Sequence, residues 1–186
     1  MDIIRAFIAV ELPEEIKKGI DKETSSLRRT DADIKWVRPA LLHITLKFLG
    51  DTPQDKIPLI SDALKTIDVK AFDADVFGAG AFPNSKTPRI YWIGITGGDL
   101  FEPMRRDIEK SMSILGFEAE DKQFRPHITI GRARSQRGAQ EAVKRLFDLK
   151  DKLFGKIDVN RVSLMKSELK KTGPEYTNIL SVPLHK

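Results

Sequence analysis

The sequence contains no cysteine, and it has only three histidines in 186 residues. Without cysteine there can be no disulfide bond and no thiolate metal site, and the protein is predicted to be cytoplasmic. No apolar run approaches the roughly 18 residues that a transmembrane helix needs. The first 18 residues carry acids within an apolar stretch and lack a small-residue cleavage site. They are therefore interpreted as the start of a folded domain rather than as a signal peptide.

The remaining composition is typical of a globular protein. Hydrophobic residues make up 40% of the chain, which predicts a packed core. No linker is long enough to divide the sequence, so residues 1–186 are predicted to form a single domain with two lobes. The net charge of +5 suits an anionic partner such as nucleic acid, and it equally suits an ordinary basic protein.

Hydrophobic periodicity and turn residues divide the chain into predicted strands and helices. Strands are predicted at 3–10, 34–37, 42–49, 72–82, 89–95, 127–130, 154–164 and 176–182. Helices are predicted at 13–28, 53–67, 98–115 and 138–149. Because strands and helices do not alternate strictly, we expect an α+β fold with mainly antiparallel sheets and helices packed on the outside.

Two of the three histidines occur in the same short motif. His43 is followed by Ile-Thr-Leu and His127 by Ile-Thr-Ile, and an Arg-Pro pair precedes each motif. This weak repeat indicates a two-lobed architecture with pseudo-two-fold symmetry around a central cleft. The two motifs are distant in sequence, so only the fold can bring them together.

Alternation along a strand predicts which motif side chains share a face. His43 and Thr45 should lie on one face, and Ile44, Leu46 and Phe48 on the other. By the same rule His127 and Thr129 face away from the two isoleucines of the second motif. If both strands line one cleft, the site holds two imidazoles and two hydroxyls.

This set of groups suits in-line displacement at phosphorus. One neutral histidine can take a proton from an attacking water, and one protonated histidine can give a proton to the leaving oxygen. The threonine hydroxyls can donate hydrogen bonds to the non-bridging oxygens. The residues alone do not tell which histidine is the acid.

Two other interpretations of the histidines compete with this one. Each could be an ordinary half-buried strand residue, but two copies of one motif make this less attractive. A zinc site would need a third ligand, and no cysteine or suitably spaced carboxylate is available, while His185 lies at the C-terminus. We therefore expect neither a metal nor another cofactor.

The two motifs and their surroundings resemble the 2H phosphoesterase superfamily, specifically its 2′-5′ RNA ligase family of RNA 2′,3′-cyclic phosphodiesterases. The similar segments are 5–9 (RAFIA), 42–50 (LHITLKFLG), 88–94 (PRIYWIG) and 125–132 (RPHITIGR). The resemblance implies a two-lobed α+β fold around a positively charged cleft. It also implies that His43 donates a proton to the leaving oxygen and His127 accepts one from water.

The same resemblance implies a substrate and a product. The partner would be RNA with a 2′,3′-cyclic phosphate end, hydrolysed to a 2′-phosphomonoester without a metal, and no membrane or obligatory protein partner is expected. Two alternatives stay open: 2′-5′ ligation of such an end to a 5′-hydroxyl strand, and a non-catalytic RNA-binding module.

Arg132 matches an arginine that the family places near the phosphate. Strict alternation puts it on the opposite face from His127, but a bulge at Gly131 could turn it back. Arg125 has the correct parity and is separated from the strand by Pro126.

Two further groups are weaker candidates for contacts with RNA. The basic residues between 132 and 145 could follow an RNA backbone or form a solvated helix face. A terminal base could stack on one of several aromatic side chains, although aromatic residues in strands more often belong to the core. The aromatic candidates are Phe7, Phe48, Tyr91 and Trp92.

Overall fold

The computed structural model describes residues 2–120 and 123–185. Its strands are β1 (Ile3–Glu11), β2 (Ile34–Trp36), β3 (His43–Pro53), β4 (Phe72–Phe82), β5 (Ile90–Ile95), β6 (His127–Ala133), β7 (Leu153–Val159), β8 (Arg161–Lys170) and β9 (Gly173–Pro183). Its α-helices are α1 (Glu14–Thr24), α2 (Ile57–Lys65), α3 (Gly98–Ile114) and α4 (Ala139–Phe147).

The strands form one nine-stranded sheet in which all pairs of strands are antiparallel. The order is β7-β4-β5-β6-β3-β1-β8-β9, and β2 pairs with β6. Apart from β2, each half is a row of four antiparallel strands read outward from the junction of β6 and β3: β6-β5-β4-β7 in one half and β3-β1-β8-β9 in the other. The predicted α+β fold with antiparallel sheets and a pseudo-two-fold arrangement is confirmed.

The two halves meet at a single bridge between the histidine motifs. Ile44 of β3 pairs with Ile128 of β6, and both side chains are completely buried. The two isoleucines hold the same position in their motifs, so the pseudo-two-fold axis passes between them. The rest of each motif is therefore placed symmetrically about this axis.

The helices contribute apolar side chains to the core. Ile16 and Ile20 of α1 are buried, as are Met104 and Ile108 of α3. Their spacing of four residues places each pair on one side of its helix, which is how an amphipathic helix covers a sheet. Among the described residues, no helix is both long enough and apolar enough to cross a membrane.

Two predicted boundaries were wrong. The strand expected at 154–164 is two strands, because Asn160 interrupts it and the chain passes from β7 beside β4 to β8 beside β1. Because the break between the two strands is a single residue long, the hydrophobic periodicity did not indicate it. The first helix ends at Thr24 instead of near residue 28, and a 3₁₀ turn over Leu27–Arg29 follows it.

Candidate active site

Each of the two histidines is held by the same kind of hydrogen bond to a backbone carbonyl. The Nδ1 of His43 lies 2.7 Å from the carbonyl oxygen of Leu41, and the Nδ1 of His127 lies 2.7 Å from that of Arg125. A carbonyl oxygen can only accept, so Nδ1 carries the proton in both rings. The Nε2 atom of each ring is therefore the one available for proton transfer.

The threonines of the two motifs differ in their contacts. The Oγ1 of Thr45 lies 3.0 Å from the Nε2 of His43. The cleft consists of two cavities, one beside His43 and one beside His127, and Thr45 and Thr129 line both of them. The predicted face for these four side chains agrees with the structure, which places all of them on one cleft.

A bulge follows each threonine. In β3, Thr45 pairs with Ala9 and Lys47 with Ile8, which leaves Leu46 as the extra residue. In β6, Thr129 pairs with Trp92 and Gly131 with Tyr91, which leaves Ile130 as the extra residue. A bulge reverses the alternation of the side chains that follow it. The two halves thus share this backbone irregularity at the same motif position.

The bulges decide which further side chains reach the cleft. Arg132 lines both cavities, so the bulge at Ile130 returns it to the face of His127. Phe48 was expected on the buried face with Ile44, and that was wrong: its side chain is 58% exposed and lines both cavities. Phe48 and Arg132 occupy equivalent positions, each five residues after its histidine.

Two cavities flank these shared residues. The His127-side cavity has a volume of about 460 Å³, and the His43-side cavity has a volume of about 340 Å³. Thr45, Phe48, Thr129 and Arg132 line both. The cleft therefore continues on either side of the place where the two histidine–threonine pairs meet.

The surroundings lower the pKa of both histidines. Burial is the main cause for His43, and the nearby cations Lys17 and Arg132 add to it, while the Leu41 carbonyl and the Glu11 carboxylate act in the opposite direction. Burial is also the main cause for His127, where Arg132 adds to it and the Arg125 carbonyl opposes it. Both imidazoles are therefore biased toward the neutral form in the free protein.

Aromatic rings pack against both imidazoles. The Phe7 and Tyr176 rings lie 4.9 and 5.3 Å from that of His43, centroid to centroid. The Phe82 ring lies edge-on to His127 at 5.2 Å. Tyr176 and Phe82 were not predicted as site residues, because neither lies in a motif and only the fold brings them to the cleft.

Of the four aromatic candidates for base stacking, Phe48 is the one whose ring is largely open to the cleft. Tyr91 is fully buried and Phe7 nearly so, at 3% exposure. Trp92 is half-buried and packs against Phe82. Among the basic residues between 132 and 145, only Arg132 lines either cavity.

Among residues 2–120 and 123–185, no group of three or more His, Asp or Glu side chains is arranged to hold a metal ion. The cleft between the two histidines is lined by the hydroxyls of Thr45 and Thr129 and the guanidinium of Arg132, and the positive guanidinium favours an anion there over a cation.

The fold and the paired histidine–threonine motifs define the class of the protein as a 2H phosphoesterase. A family model described as "LigT like Phosphoesterase" matches residues 10–92 and 95–176, and the chain belongs to this family. The first matched stretch contains the His43 motif and the second contains the His127 motif.

Named relatives match over nearly the whole chain. A protein of Methanothermobacter thermautotrophicus is 32% identical over 178 residues, covering 95% of this chain and 96% of its own. One of Methanocaldococcus jannaschii is 33% identical over 173 residues, covering 93% and 96%. Both relatives are named RNA 2′,3′-cyclic phosphodiesterase.

Solved structures show the same fold. TT0787 of Thermus thermophilus superposes with a TM-score of 0.81 at 28% identity, covering 97% of this chain and 98% of its own. LigT of E. coli, solved with 3′-AMP, superposes with a TM-score of 0.83 at 23% identity and full coverage of both chains.

Proposed function

We propose that this protein is an RNA 2′,3′-cyclic phosphodiesterase that opens the cyclic end to a 2′-phosphomonoester without a metal. The observation that carries the proposal is the matched pair of imidazoles. Each is fixed through Nδ1 by a carbonyl at 2.7 Å, and each leaves its Nε2 for the cleft. The names of the relatives support the same activity.

The reaction needs two proton transfers and one site for negative charge. His127, neutral, accepts a proton from water as the water oxygen bonds to phosphorus. His43, protonated, donates a proton to O3′ as the P–O3′ bond breaks, which leaves the phosphate on O2′. Two imidazoles on opposite sides of a pseudo-two-fold axis suit the in-line geometry that this displacement requires.

Charge stabilisation in this scheme comes from hydroxyls and a guanidinium. Thr45, Thr129 and Arg132 line both cavities and surround the place where a phosphate would lie between them. They can donate hydrogen bonds to the two non-bridging oxygens as charge develops. The five-membered cyclic ester is already strained, so the reaction needs less help from a Lewis acid than an unstrained diester does.

A bound substrate should change the protonation of the site. Burial and Arg132 lower the pKa of both histidines in the free protein. The anionic phosphate compensates for the guanidinium, so the pKa of an imidazole rises when the substrate binds. This favours a protonated His43 in the complex, where the acid is needed.

One observation also favours 2′-5′ ligation as a second candidate. The His127-side cavity, of about 460 Å³, extends the cleft on the side from which the nucleophile would enter. A cavity of this size is within the range of small-molecule sites and has room for a nucleoside. A 5′-hydroxyl placed there would replace water at the same phosphorus, and a 2′-5′ bond would result.

The experiment that tests the proposal uses a short RNA with a 2′,3′-cyclic phosphate end in excess EDTA. We expect conversion to the 2′-monoester, identified by NMR against both monoester standards, with no change on adding Mg²⁺ or Zn²⁺. Activity lost in EDTA and restored by a divalent metal would contradict the metal-independent mechanism. An intact cyclic end would instead favour a non-catalytic RNA-binding module.

The same reaction with a 5′-hydroxyl oligonucleotide added tests ligation. Longer products resistant to a 3′-5′-specific ribonuclease at the junction would establish the second candidate.

Single-stranded DNA should not be cleaved, because it lacks the 2′-hydroxyl from which a cyclic phosphate forms. A cytoplasmic location remains a prediction from the sequence.

A further inference from the structure

The two cavities differ in the charges that line them. Arg5, Lys35 and Arg132 line the His43-side cavity, and its described lining includes no carboxylate. Lys35 of β2 is the cross-strand partner of Arg132 in β6, so two of the three cations are neighbours on one face. Arg5 and Lys35 are both exposed to solvent. Asp51, which pairs with Arg5 in the register of β1 and β3, does not line the cavity.

Two cations of the His127-side cavity, Lys47 and Arg105, are compensated by acids, whereas Arg125 makes no ion pair with a described residue. The Nζ of Lys47 lies 2.7 Å from a carboxylate oxygen of Glu109. The guanidinium of Arg105 lies 3.5 Å from Glu109 and 3.6 Å from Glu120, and Glu120 itself lines the cavity. Paired charges largely cancel at a distance. Apart from the shared Arg132, the uncompensated cations are Arg125 in this cavity and both Arg5 and Lys35 in the other, so the His43-side cavity attracts a polyanion more strongly.

The β8–β9 hairpin lengthens the His43-side cavity into a trough. Ser167, Leu169 and Pro174 of the hairpin form one wall, and the Leu169 side chain is 82% exposed. The guanidinium of Arg38 donates a hydrogen bond to the carbonyl oxygen of Pro174, which ties the hairpin to the segment before β3. The trough therefore has a fixed outer wall beyond the two histidines.

We propose that the RNA chain 5′ of the cyclic end lies in the His43-side trough, where Arg5 and Lys35 contact its phosphates. This inference rests on the proposed function. A single strand carries a negative charge at every nucleotide, and it binds where cations are not already compensated by acids. The His127-side cavity is then left for the incoming nucleophile.

This placement gives a reason for the roles of the histidines that does not depend on resemblance. The departing O3′ belongs to the terminal ribose, which is joined to the rest of the chain. In-line attack places the entering oxygen on the opposite side of phosphorus. The proton donor must therefore lie on the side of the RNA chain, which is His43, and the acceptor on the side of the nucleophile, which is His127.

The test compares two substrates of different length. For adenosine 2′,3′-cyclic phosphate and for an oligoadenylate with the same cyclic end, kcat/KM is measured with the wild-type protein, Arg5→Gln, Lys35→Gln and the double variant. We expect the ratio of oligonucleotide to mononucleotide kcat/KM to fall by about three- to tenfold for each substitution. For the oligonucleotide, the slope of log(kcat/KM) against log[salt] should become shallower by about 0.7 for each lost phosphate contact.

Two further variants decide where the chain lies. Lys144→Gln, an exposed cation of α4 that lines neither cavity, should leave the ratio unchanged. Arg125→Gln changes an exposed cation of the His127-side cavity. The proposal is overturned if Arg125→Gln or Lys144→Gln reduces the ratio while Arg5→Gln and Lys35→Gln do not.

Failure of the proposed function is distinguishable from failure of this inference. If the wild-type protein opens neither cyclic substrate, the proposed function is wrong. Fluorescence anisotropy with a labelled, 3′-phosphorylated oligoadenylate then decides the inference alone. Weaker binding by the Arg5→Gln, Lys35→Gln double variant than by Lys144→Gln would support the trough, and equal binding would overturn it. Thermal unfolding checks that each variant is folded.

Discussion

The two halves of the site place their histidines with the same backbone device and surround them with different side chains. In both halves a carbonyl two residues earlier fixes Nδ1, and a bulge follows the threonine. Across the sheet, however, His43 faces Glu11 of β1, whereas His127 faces Gly94 of β5. The shared backbone sets orientation, and the different neighbours can give each imidazole its own role.

The positions after the two bulges show the same division. Phe48 and Arg132 are turned into the cleft by equivalent bulges, and one is an apolar ring while the other is a cation. Arg132 lowers the pKa of both histidines, so a single guanidinium influences both halves. The two similar halves thus place two imidazoles around one guanidinium.

The largest expected effect is loss of either imidazole. His43→Ala and His127→Ala should each lower kcat by roughly 10²-fold or more, the scale of a lost positioned acid or base. The double variant should be little worse than either single one, because the two residues act as a unit. His185→Ala is the matched control, since the third histidine lies near the exposed Asp68 and lines neither cavity. Near-normal turnover in either motif variant would remove that histidine from the mechanism.

A substrate with sulfur at the 3′ bridging position can distinguish the two halves. A thiolate leaves without protonation far more readily than an alkoxide, so it needs no acid. We expect His43→Ala to recover much of its activity on this substrate, and His127→Ala to recover little. Recovery in the His127 variant instead would reverse the two roles.

Arg132→Gln should have the next largest effect. Loss of a charge-assisted hydrogen bond to the phosphate should lower kcat/KM by about 10- to 100-fold. Because Arg132 lowers the pKa of both histidines, its removal should also shift the pH profile of kcat/KM upward. Arg134→Gln, which changes an arginine outside both cavities, serves as the control. A shift to lower pH in the Arg132 variant would contradict this electrostatic assignment.

Substitution of the two threonines should reveal a further difference between the two halves of the site. Thr45→Val and Thr129→Val should each reduce kcat by about three- to tenfold through loss of a neutral hydrogen bond. Only Thr45→Val should also move a limb of the pH profile, because Thr45 Oγ1 lies 3.0 Å from His43 Nε2. Full pH–rate profiles for both variants make the comparison. Identical shifts would mean that the halves are more alike than their hydrogen bonds indicate.

Much of the site could be predicted from sequence because it follows from strand alternation. His43 and Thr45 share a face in any regular strand, and their repetition in the His127 motif indicates a duplicated cleft. Arg132 could be placed only conditionally, because a bulge has no reliable signature in a single sequence. Gly131 pointed to the right place, although the structure gives it another role: a Cβ there would lie 2.8 Å from Ile34 and from Trp36, so the glycine makes room for β2.

The remainder could not be predicted because it depends on contacts between distant segments. The bulge in β3 carries Lys47 where β6 has Gly131, so no glycine marked it, and Phe48 was assigned to the wrong face. Lys47 is buried there because Glu109 of α3 and a backbone carbonyl accept its hydrogen bonds at 2.7 Å. Tyr176 reaches His43 only through the β8–β9 hairpin.

The smallest effect should come from the charges behind His43. The Glu11 carboxylate accepts hydrogen bonds from Ser163 at 2.7 Å and Asn178 at 2.6 Å, which hold it beside the imidazole. Glu11 raises the pKa of His43 and Lys17 lowers it.

Glu11→Gln should therefore favour neutral His43, and Lys17→Gln should favour the protonated form. If His43 is the acid, kcat/KM near neutral pH should fall about two- to fivefold for Glu11→Gln and rise for Lys17→Gln, with the optimum moving to lower and to higher pH respectively. Since His127 faces Gly94 and not an acid, its limb of the profile should stay in place. Shifts of the same sign in both variants would show that these charges do not set the protonation of His43.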